Sequence, residues 1–190
     1  MGESHYWLAW NQDELERLAE AWQSIENAKK YFVGNNEVLT LAGIIAFKRE
    51  NLGEAEKNFQ EALSLNPANS EAHFYMGSIH ARKMDWKNSG LSYGRAAHCY
   101  EKVEKALEER IKEIEESSFS EERKERLVAR KKAQLRKTAL TKATSFYNGA
   151  AGYFNAGMKE EALRFAQQAA LHNSLKEKAE ELANKIKELK

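Results

Sequence analysis

The residues best able to do chemistry in this sequence are its five histidines and its single cysteine. No two histidines are four residues apart with a glutamate between them, the spacing with which one helix face binds zinc. Cys99 has no second thiol to complete a zinc site, and its neighbour His98 would face a different direction on a helix. No glycine-rich phosphate loop or nucleophile-elbow pattern occurs. The sequence therefore predicts no catalytic residue, no metal site and no cofactor, and indicates a protein that is not an enzyme.

Composition and charge point to a helical protein and argue against several kinds of partner. The chain has 190 residues, of which 42% are hydrophobic, and its ten glycines and one proline leave few helix breakers. Thirty basic and 29 acidic residues give a net charge of +1. That balance removes any whole-molecule argument for binding nucleic acid or an anionic membrane. We expect one all-α domain whose partner is a protein rather than a nucleic acid.

The sequence shows no targeting or membrane segment. Its start, MGESHYWLAW, lacks the apolar core of a signal peptide, and no run approaches the roughly 20 apolar residues of a spanning helix. The lone Cys99 excludes an intrachain disulfide and fits a reducing compartment. We expect a cytoplasmic protein without membrane insertion, while an exported mature form, trimmed of a signal, stays open.

The most informative stretch is 36–67, which holds two short helical patterns separated at 49–51. Its small residues would let two helices approach closely, and Phe59 would fill the gap between them. Pro67, which lacks an N–H, would end the second helix. The stretch therefore predicts a helix-turn-helix unit. Its small residues are Ala42, Gly43, Ala55 and Ala62.

The same pattern returns further along the chain at a fixed interval, the repeat period. Gly43 is followed by Gly77, and Phe59 is followed by Tyr93. A third copy follows an interruption, with alanine in place of the second-helix aromatic; its residues are Phe146, Gly149, Ala150, Tyr153, Gly157, Ala162, Ala166 and Ala169. The period of about 34 residues and the residue types resemble the tetratricopeptide repeat (TPR) family. The resemblance implies an all-α, TPR-type solenoid of three to four helical hairpins.

Six segments divide the predicted single domain of 1–190. In the first segment we expect a first helix reduced to 3–10 and a second helix from Asp13, because Asn11 and Glu14 have capping-box spacing. The last segment carries apolar residues on one side, up to Leu189, and would cover the final repeat. The segments are a degenerate N-terminal unit at 1–34, repeats at 36–67 and 70–100, a helical arm at 101–142, a repeat at 143–173 and a capping helix at 174–190.

The predicted arm interrupts the repeats. Its apolar series runs through 103–114 and halts before Ser118, which has capping-box spacing to Glu121. Two long helices joined by a tight turn should be antiparallel neighbours. Residues 101–116 hold seven acidic and four basic side chains, whereas 121–142 hold nine basic and three acidic ones. This balance favours the pairing, and it leaves a basic excess that is either a solvated face or a site for an acidic partner.

The TPR resemblance implies that the first helix of each hairpin lines a concave face, where a peptide can bind. Thr40 and Ile44 stand where a clamp for a terminal carboxylate would need a lysine and an asparagine, so we expect an apolar, shape-driven groove. The candidate peptide-binding residues are Thr40, Ile44, Phe47, Phe74, Ser78, Arg82, Tyr147, Asn148, Ala151 and Phe154.

Two functions follow from these patterns. The first is a non-catalytic adaptor that binds a peptide or helix of a partner protein on the concave face. The alternative is a coiled-coil scaffold that acts through the arm, by self-association or on an acidic partner. The aromatic N-terminus or the arm of the chain itself could also fill the groove. Partner identity and oligomeric state stay open.

Overall fold

The computed structural model describes residues 2–188, and these form nine α-helices and no strand. Leu189, predicted on the apolar side of the last helix, lies outside the described residues. The predicted all-α fold class, with TPR-type hairpins, a long arm and a last capping helix, is confirmed. The helices are α1 (Gly2–Glu14), α2 (Leu18–Tyr31), α3 (Asn36–Lys48), α4 (Leu52–Leu65), α5 (Ser70–Arg82), α6 (Trp86–Glu116), α7 (Glu121–Asn155), α8 (Lys159–Ala169) and α9 (Lys176–Glu188).

The chain divides into two compact units. Unit 1 ends at Met84 and contains α1 to α5, and unit 2 begins at Asp85 and contains α6 to α9. The division falls between the two helices of the predicted repeat at 70–100. The predicted boundaries of the segments stay predictions, and each unit is described by itself below.

The starts of the helices follow the repeat period more regularly than the side-chain pattern does. The helices α1, α3 and α5 begin exactly one period apart, and so do α2, α4 and α6. The residues Glu16, Glu50 and Met84, which follow the first helices, recur at the same interval and have φ of 57°, 61° and 57°. At the second turn the N–H of Asn51 donates to the carbonyl of Ala46 at 3.0 Å, the bond that closes a Schellman-type helix end.

These turns carry no glycine, although a left-handed conformation costs other residues roughly 1–2 kcal/mol. The turn before α8 does have a glycine at this place, Gly157, with φ of 74°. The sequence of the three turns therefore did not predict their left-handed conformation. Around the first two turns, α1 packs against α2 and α3 packs against α4, which holds Glu16 and Glu50 in place.

The first helix of the chain is longer than predicted. The expected start of a helix at Asp13 is wrong, because α1 continues to Glu14 and α2 begins at Leu18. Asn11 is not a cap, since its side chain donates to the Trp7 carbonyl at 2.9 Å. Tertiary contacts hold the end of α1: the Asp13 carboxylate accepts from Lys48 Nζ at 2.7 Å. With 13 residues, α1 is as long as α3 and α5.

In unit 1 the hairpin of α3 and α4 closes around one aromatic ring. A Cβ placed on Gly43 would lie 2.6 Å from Phe59, so only glycine admits this ring against the helix. Phe59 is fully buried and stacks on Tyr75 of α5, with ring centroids 5.4 Å apart. Full burial of a phenylalanine is worth about 1.5–3 kcal/mol, so this contact joins the three helices strongly.

Unit 2 has the same arrangement, in which a glycine of one helix packs against an aromatic ring of the next. One sequence prediction about this contact is wrong. The third repeat does not replace its second-helix aromatic with alanine, because Phe165 fills that place: a Cβ on Gly149 would lie 2.7 Å from its ring. Phe165 follows Gly149 at the same spacing at which Phe59 follows Gly43. The sequence alignment placed Ala166 there, a register shift by one position. Because Ala166 is also fully buried, the alanine pattern alone could not reveal this shift.

The arm at 101–142 is formed by the last part of α6, which has 31 residues, and the first part of α7, which has 35 residues; the two helices pack against each other. Lys142 of α7 pairs with Glu104 of α6, and Lys132 lies 3.9 Å from Glu115, as antiparallel helices require. The predicted capping box at Ser118 is wrong. The N-cap of α7 is Ser120, and its side chain makes no cap hydrogen bond.

The last helix begins later than predicted, at Lys176 rather than Ser174. It packs against α8 and α7. Ala183 and Ile186 lie in the same buried cluster as Phe165, so α9 covers the apolar side of the preceding hairpin. This is the role that terminal elements of repeat arrays must fill.

Candidate functional site

The candidate site in unit 1 is the surface of its three first helices, α1, α3 and α5, which we call the first-helix face. The helices neighbour one another in that order. Because they start one repeat period apart, their side chains fall into columns of equivalent positions. The columns are Glu3, Glu37 and Glu71; Tyr6, Thr40 and Phe74; Trp10, Ile44 and Ser78; Asp13 and Phe47; and Glu14, Lys48 and Arg82.

Thr40 lies between two helices and is only 5% exposed. Its hydroxyl donates to the Asn36 carbonyl at 2.7 Å and accepts from Asn69 Nδ2 at 2.7 Å. Asn69 in turn caps α5 by accepting from the Ala72 N–H at 2.9 Å. Thr40 therefore ties α3 to the start of α5.

Ile44 and Phe47 are half-buried and pack against the core cluster that contains Phe59. The Phe47 ring meets Tyr75 edge-on at 5.3 Å, and the Arg82 guanidinium lies 4.4 Å above it. Arg82 also pairs with Glu50 at 2.5 Å. The outer side of Phe47 is thus covered by a cation of the same unit.

Phe74 and Ser78 lie one turn apart on α5, and both are half-buried. The Phe74 ring meets Tyr75 edge-on with centroids 5.7 Å apart, and Ser78 Oγ donates to the Phe74 carbonyl at 3.3 Å. Phe47, Tyr75 and Phe74 therefore form a continuous aromatic row on two adjacent first helices.

Sequence reasoning missed the contribution of α1 to this face. Trp10 is 42% exposed, and Tyr6 is half-buried against the core cluster of α1 to α3. A signal existed: Trp10 stands one repeat period before Ile44, and Tyr6 stands one period before Thr40. The expectation that the aromatic N-terminus could fill the groove, rather than line it, concealed this signal.

The face also carries carboxylates from all three first helices, Asp13, Glu37 and Glu71. Burial raises the pKa of the Tyr6 phenol above its ordinary value of 10.0, and the charges of Glu37 and Glu71 raise it further. Burial likewise raises the pKa of Tyr75, followed by the charges of Glu71 and Asp13. Both phenols therefore stay protonated at neutral pH and are neutral hydroxyl groups beside carboxylates from all three first helices.

The other four predicted residues lie in unit 2, on α7. Tyr147, Asn148, Ala151 and Phe154 are all partly exposed. Phe154 packs against the cluster that contains Phe165, so part of its ring serves the core of that unit.

Two further searches of residues 2–188 bear on function. No three side chains of His, Cys, Asp or Glu lie together in a way that could hold a metal ion. In the same part of the chain, no helix combines the length and the apolar character needed to cross a bilayer.

Comparison with known proteins gives matches in structure and none in sequence. No protein-family model and no curated protein matches the chain. A solved structure of a MamA RS-1 ArsTM double mutant is 12% identical, covers 97% of this chain and 82% of its own, and has a TM-score of 0.68. A MamA fragment, 41-end, from Desulfovibrio magneticus RS-1 is 14% identical, with coverages of 99% and 94% and a TM-score of 0.61.

A further crystal structure of MamA is 15% identical, with coverages of 93% and 81% and a TM-score of 0.58. At such identities the likeness establishes the fold alone. Together with the helical hairpins and their constant period, it shows that this chain has a fold of the tetratricopeptide-repeat type.

Proposed function

We propose that the protein is a non-catalytic interaction module that binds a peptide or helix of a partner protein on the first-helix face. Repeat proteins built from stacked helical hairpins use such surfaces for binding. The observation that carries the proposal is the set of partly exposed aromatic side chains on this face, Trp10, Phe47 and Phe74, beside the Tyr75 ring. Aromatic side chains on a rigid surface are the usual anchors of protein interfaces.

The contacts rank the candidate residues. Phe47 and Ile44 also support the core, and Thr40 fixes the start of α5, so their substitution would affect folding. Phe74 and Trp10 are better candidates for a role in binding alone. We keep Tyr147, Asn148, Ala151 and Phe154 as proposed partner-binding residues of α7, with Tyr147 as the one to test first.

A random peptide library displayed on phage and selected on the full chain tests the proposal. We expect selected peptides to lose at least tenfold in affinity for Phe74→Ala and for Trp10→Ala, while the melting temperature changes little. Phe119→Ala is the matched control, because Phe119 is 37% exposed on the turn of the arm, and an arginine lies 4.1 Å above its ring. That variant should bind like the unmodified chain.

Two results would contradict the proposal. One is binding that survives both substitutions on the first-helix face. The other is a loss of binding that only accompanies a loss of folding, which would make Phe74 and Trp10 core residues. Tyr147→Ala, measured with the same peptides, decides whether α7 takes part.

The second candidate function is a scaffold that self-associates through the arm. It is favoured by two apolar side chains exposed there, Val103 at 40% and Leu140 at 42%. If the arm joins copies of the chain, Val103→Glu with Leu140→Glu should convert the oligomer into a monomer in sedimentation velocity. An unmodified chain that sediments as a monomer at high micromolar concentration removes this candidate.

A further inference from the structure

One side of α1 carries large apolar side chains that are open to solvent. Trp7 is 57% exposed and Leu8 is 47% exposed, and beyond the end of the helix Leu15 is 66% exposed. Terminal elements of repeat arrays normally turn a polar side to solvent, so an apolar one points to a missing neighbour. We call this surface the open face of α1. Its residues, which helical spacing places on one side, are Ser4, Trp7, Leu8, Asn11 and Leu15.

The repeat period shows what the equivalent positions do elsewhere in unit 1. Leu41 and Ala42 of α3 stand one period after Trp7 and Leu8, and both lie in a buried cluster with residues of α2. One period later, Met76 of α5 lies in a buried cluster with residues of α4. Each first helix therefore uses this side to pack on the second helix of the preceding hairpin. The open face continues this series of interfaces, and no helix among residues 2–188 covers it.

The helices that cover the equivalent sides share one spacing of contact residues. Small residues at positions i and i+7 let the two helices approach, and a large apolar residue at i+4 fills the space between them. A helix that covers the open face should have the same spacing. The contact residues are Ala21, Ile25 and Ala28 on α2, and Ala55, Phe59 and Ala62 on α4.

Position i+1 of the covering helix meets the end of the next first helix, and its chemistry follows that contact. The Arg49 guanidinium lies 5.1 Å from the centroid of the Trp22 ring. One period later, Lys83 Nζ lies 2.6 Å from the Glu56 carboxylate. The equivalent residue beside the open face is Leu15 instead of a cation. The covering helix should therefore carry an apolar residue at i+1.

Two polar residues indicate that the cover of the open face is exchangeable. Ser4 and Asn11 are exposed, whereas the equivalent residues of α3, Val38 and Ile45, are buried. The Asn11 side chain donates to a carbonyl of its own helix at 2.9 Å, so it needs no external partner. Polar groups lower the cost of leaving this face in water, which suits a partner that binds and dissociates.

We propose that the open face binds an amphipathic helix of a partner protein that carries small residues at i and i+7 and apolar residues at i+1 and i+4. This helix takes the place of the second helix of a preceding hairpin. A second copy of the chain fits poorly, because its own open face presents Trp7 and Leu8 where the interface requires alanines. The open face is another side of α1 than the first-helix face, and the inference does not depend on the proposed function.

The probe for the test is a fluorescently labelled peptide with the sequence of α2, residues 18–31, held helical by a hydrocarbon staple on its polar side. Fluorescence anisotropy measures its binding to the full chain. We expect saturable binding that Leu8→Glu weakens at least about tenfold, because the burial of a leucine is lost. Leu65→Glu is the matched control, since Leu65 of α4 is exposed to the same degree, 49%. It should bind the probe like the unmodified chain.

A charge exchange tests the position that meets Leu15. A probe with Trp22→Glu should bind the unmodified chain several-fold more weakly than the original probe does. Leu15→Lys should reverse this preference, because it recreates the pair of Lys83 and Glu56. Melting curves of the variants should match that of the unmodified chain, since the replaced leucines are exposed.

Four results would overturn the inference. Binding that Leu8→Glu leaves unchanged would show that the probe replaces the chain's own α2. Absence of binding at millimolar probe concentration would show that the open face accepts no such helix. An unmodified chain that self-associates in sedimentation velocity, and that Leu8→Glu makes monomeric, would make a second copy the occupant. Phe74→Ala should leave probe binding unchanged; an equal loss there would place the probe on the first-helix face and support the proposed function alone.

Discussion

The contact between Gly43 and Phe59 gives the sharpest prediction about the fold. In Gly43→Ala, the new methyl group would lie 2.6 to 2.8 Å from three atoms of the Phe59 ring, whereas ordinary contacts begin near 3.4 Å. The ring is fully buried and stacked on Tyr75, so it has little room to move. Overpacking of this kind costs about 1–3 kcal/mol, and it is offset by about 1 kcal/mol from the better helix propensity of alanine.

Gly53→Ala is the matched control. Gly53 lies on α4 in the same unit, and the nearest atom to a Cβ placed there is Asn51 Oδ1 at 4.0 Å. The same substitution should therefore raise the free energy of unfolding by about 0.4–1 kcal/mol. Comparing the two variants largely cancels the propensity effect. The remaining steric difference should be about 1–3 kcal/mol, with Gly43→Ala the less stable.

The assay is urea unfolding followed by circular dichroism, supported by thermal melts, in which the two variants should differ by roughly 2–12 °C. Adding Phe59→Leu removes the ring edge, so Gly43→Ala should cost less in that background, with a coupling above about 0.5 kcal/mol. Equal stabilities of Gly43→Ala and Gly53→Ala, or strict additivity with Phe59→Leu, would show that this ring does not pack on α3. The reasoning about the hairpins would then be refuted.

Three further predictions concern single side chains. Asn69→Ala should lower the free energy of unfolding by about 1–2 kcal/mol, measured in urea, because it removes the cap of α5 and the hydrogen bond that the Thr40 hydroxyl accepts; a loss no larger than that of an exposed asparagine would contradict this. Glu16→Gly should raise the unfolding free energy by up to about 1 kcal/mol, since Glu16 is exposed with φ of 57°, and a loss of stability would show that its side chain is needed. Folding favours the protonated phenol of Tyr75, so its contribution is complete below pH 10.0 and is lost as pH rises through the raised pKa. Tyr75→Phe should therefore show a smaller fall of the urea midpoint than the unmodified chain as pH rises above 10.0, and identical slopes would contradict the raised pKa.

The helical hairpins could be predicted from the sequence because their signals are local and repeated. Gly43 and Phe59 report the packing of two neighbouring helices, and their return as Gly77 and Tyr93 identified the repeat. The predicted fold class and the antiparallel arm were confirmed for that reason. The same local reasoning failed at Phe165, because a neighbouring alanine, Ala166, satisfies the pattern one position away and both are buried.

The candidate site was less accessible to sequence reasoning. Thr40 and Phe74 occupy equivalent positions, yet Thr40 is buried under Asn69, while Phe74 stays partly exposed. A repeat template gives equivalent positions the same role, and only the neighbouring helix decides how much of each side chain reaches solvent. The assignment of binding residues therefore stays a prediction.

By itself, the sequence determined that the chain is helical and at what period the hairpins return, because helix formation and close pairing depend on side-chain size within a few turns. Only the tertiary structure decided the length of α1, the left-handed turn at Glu16 and the burial of Asp13 against Lys48, which belongs to a different helix, α3. These features depend on contacts between segments that are distant in sequence. Their energies outweigh the local capping and turn preferences that a sequence displays.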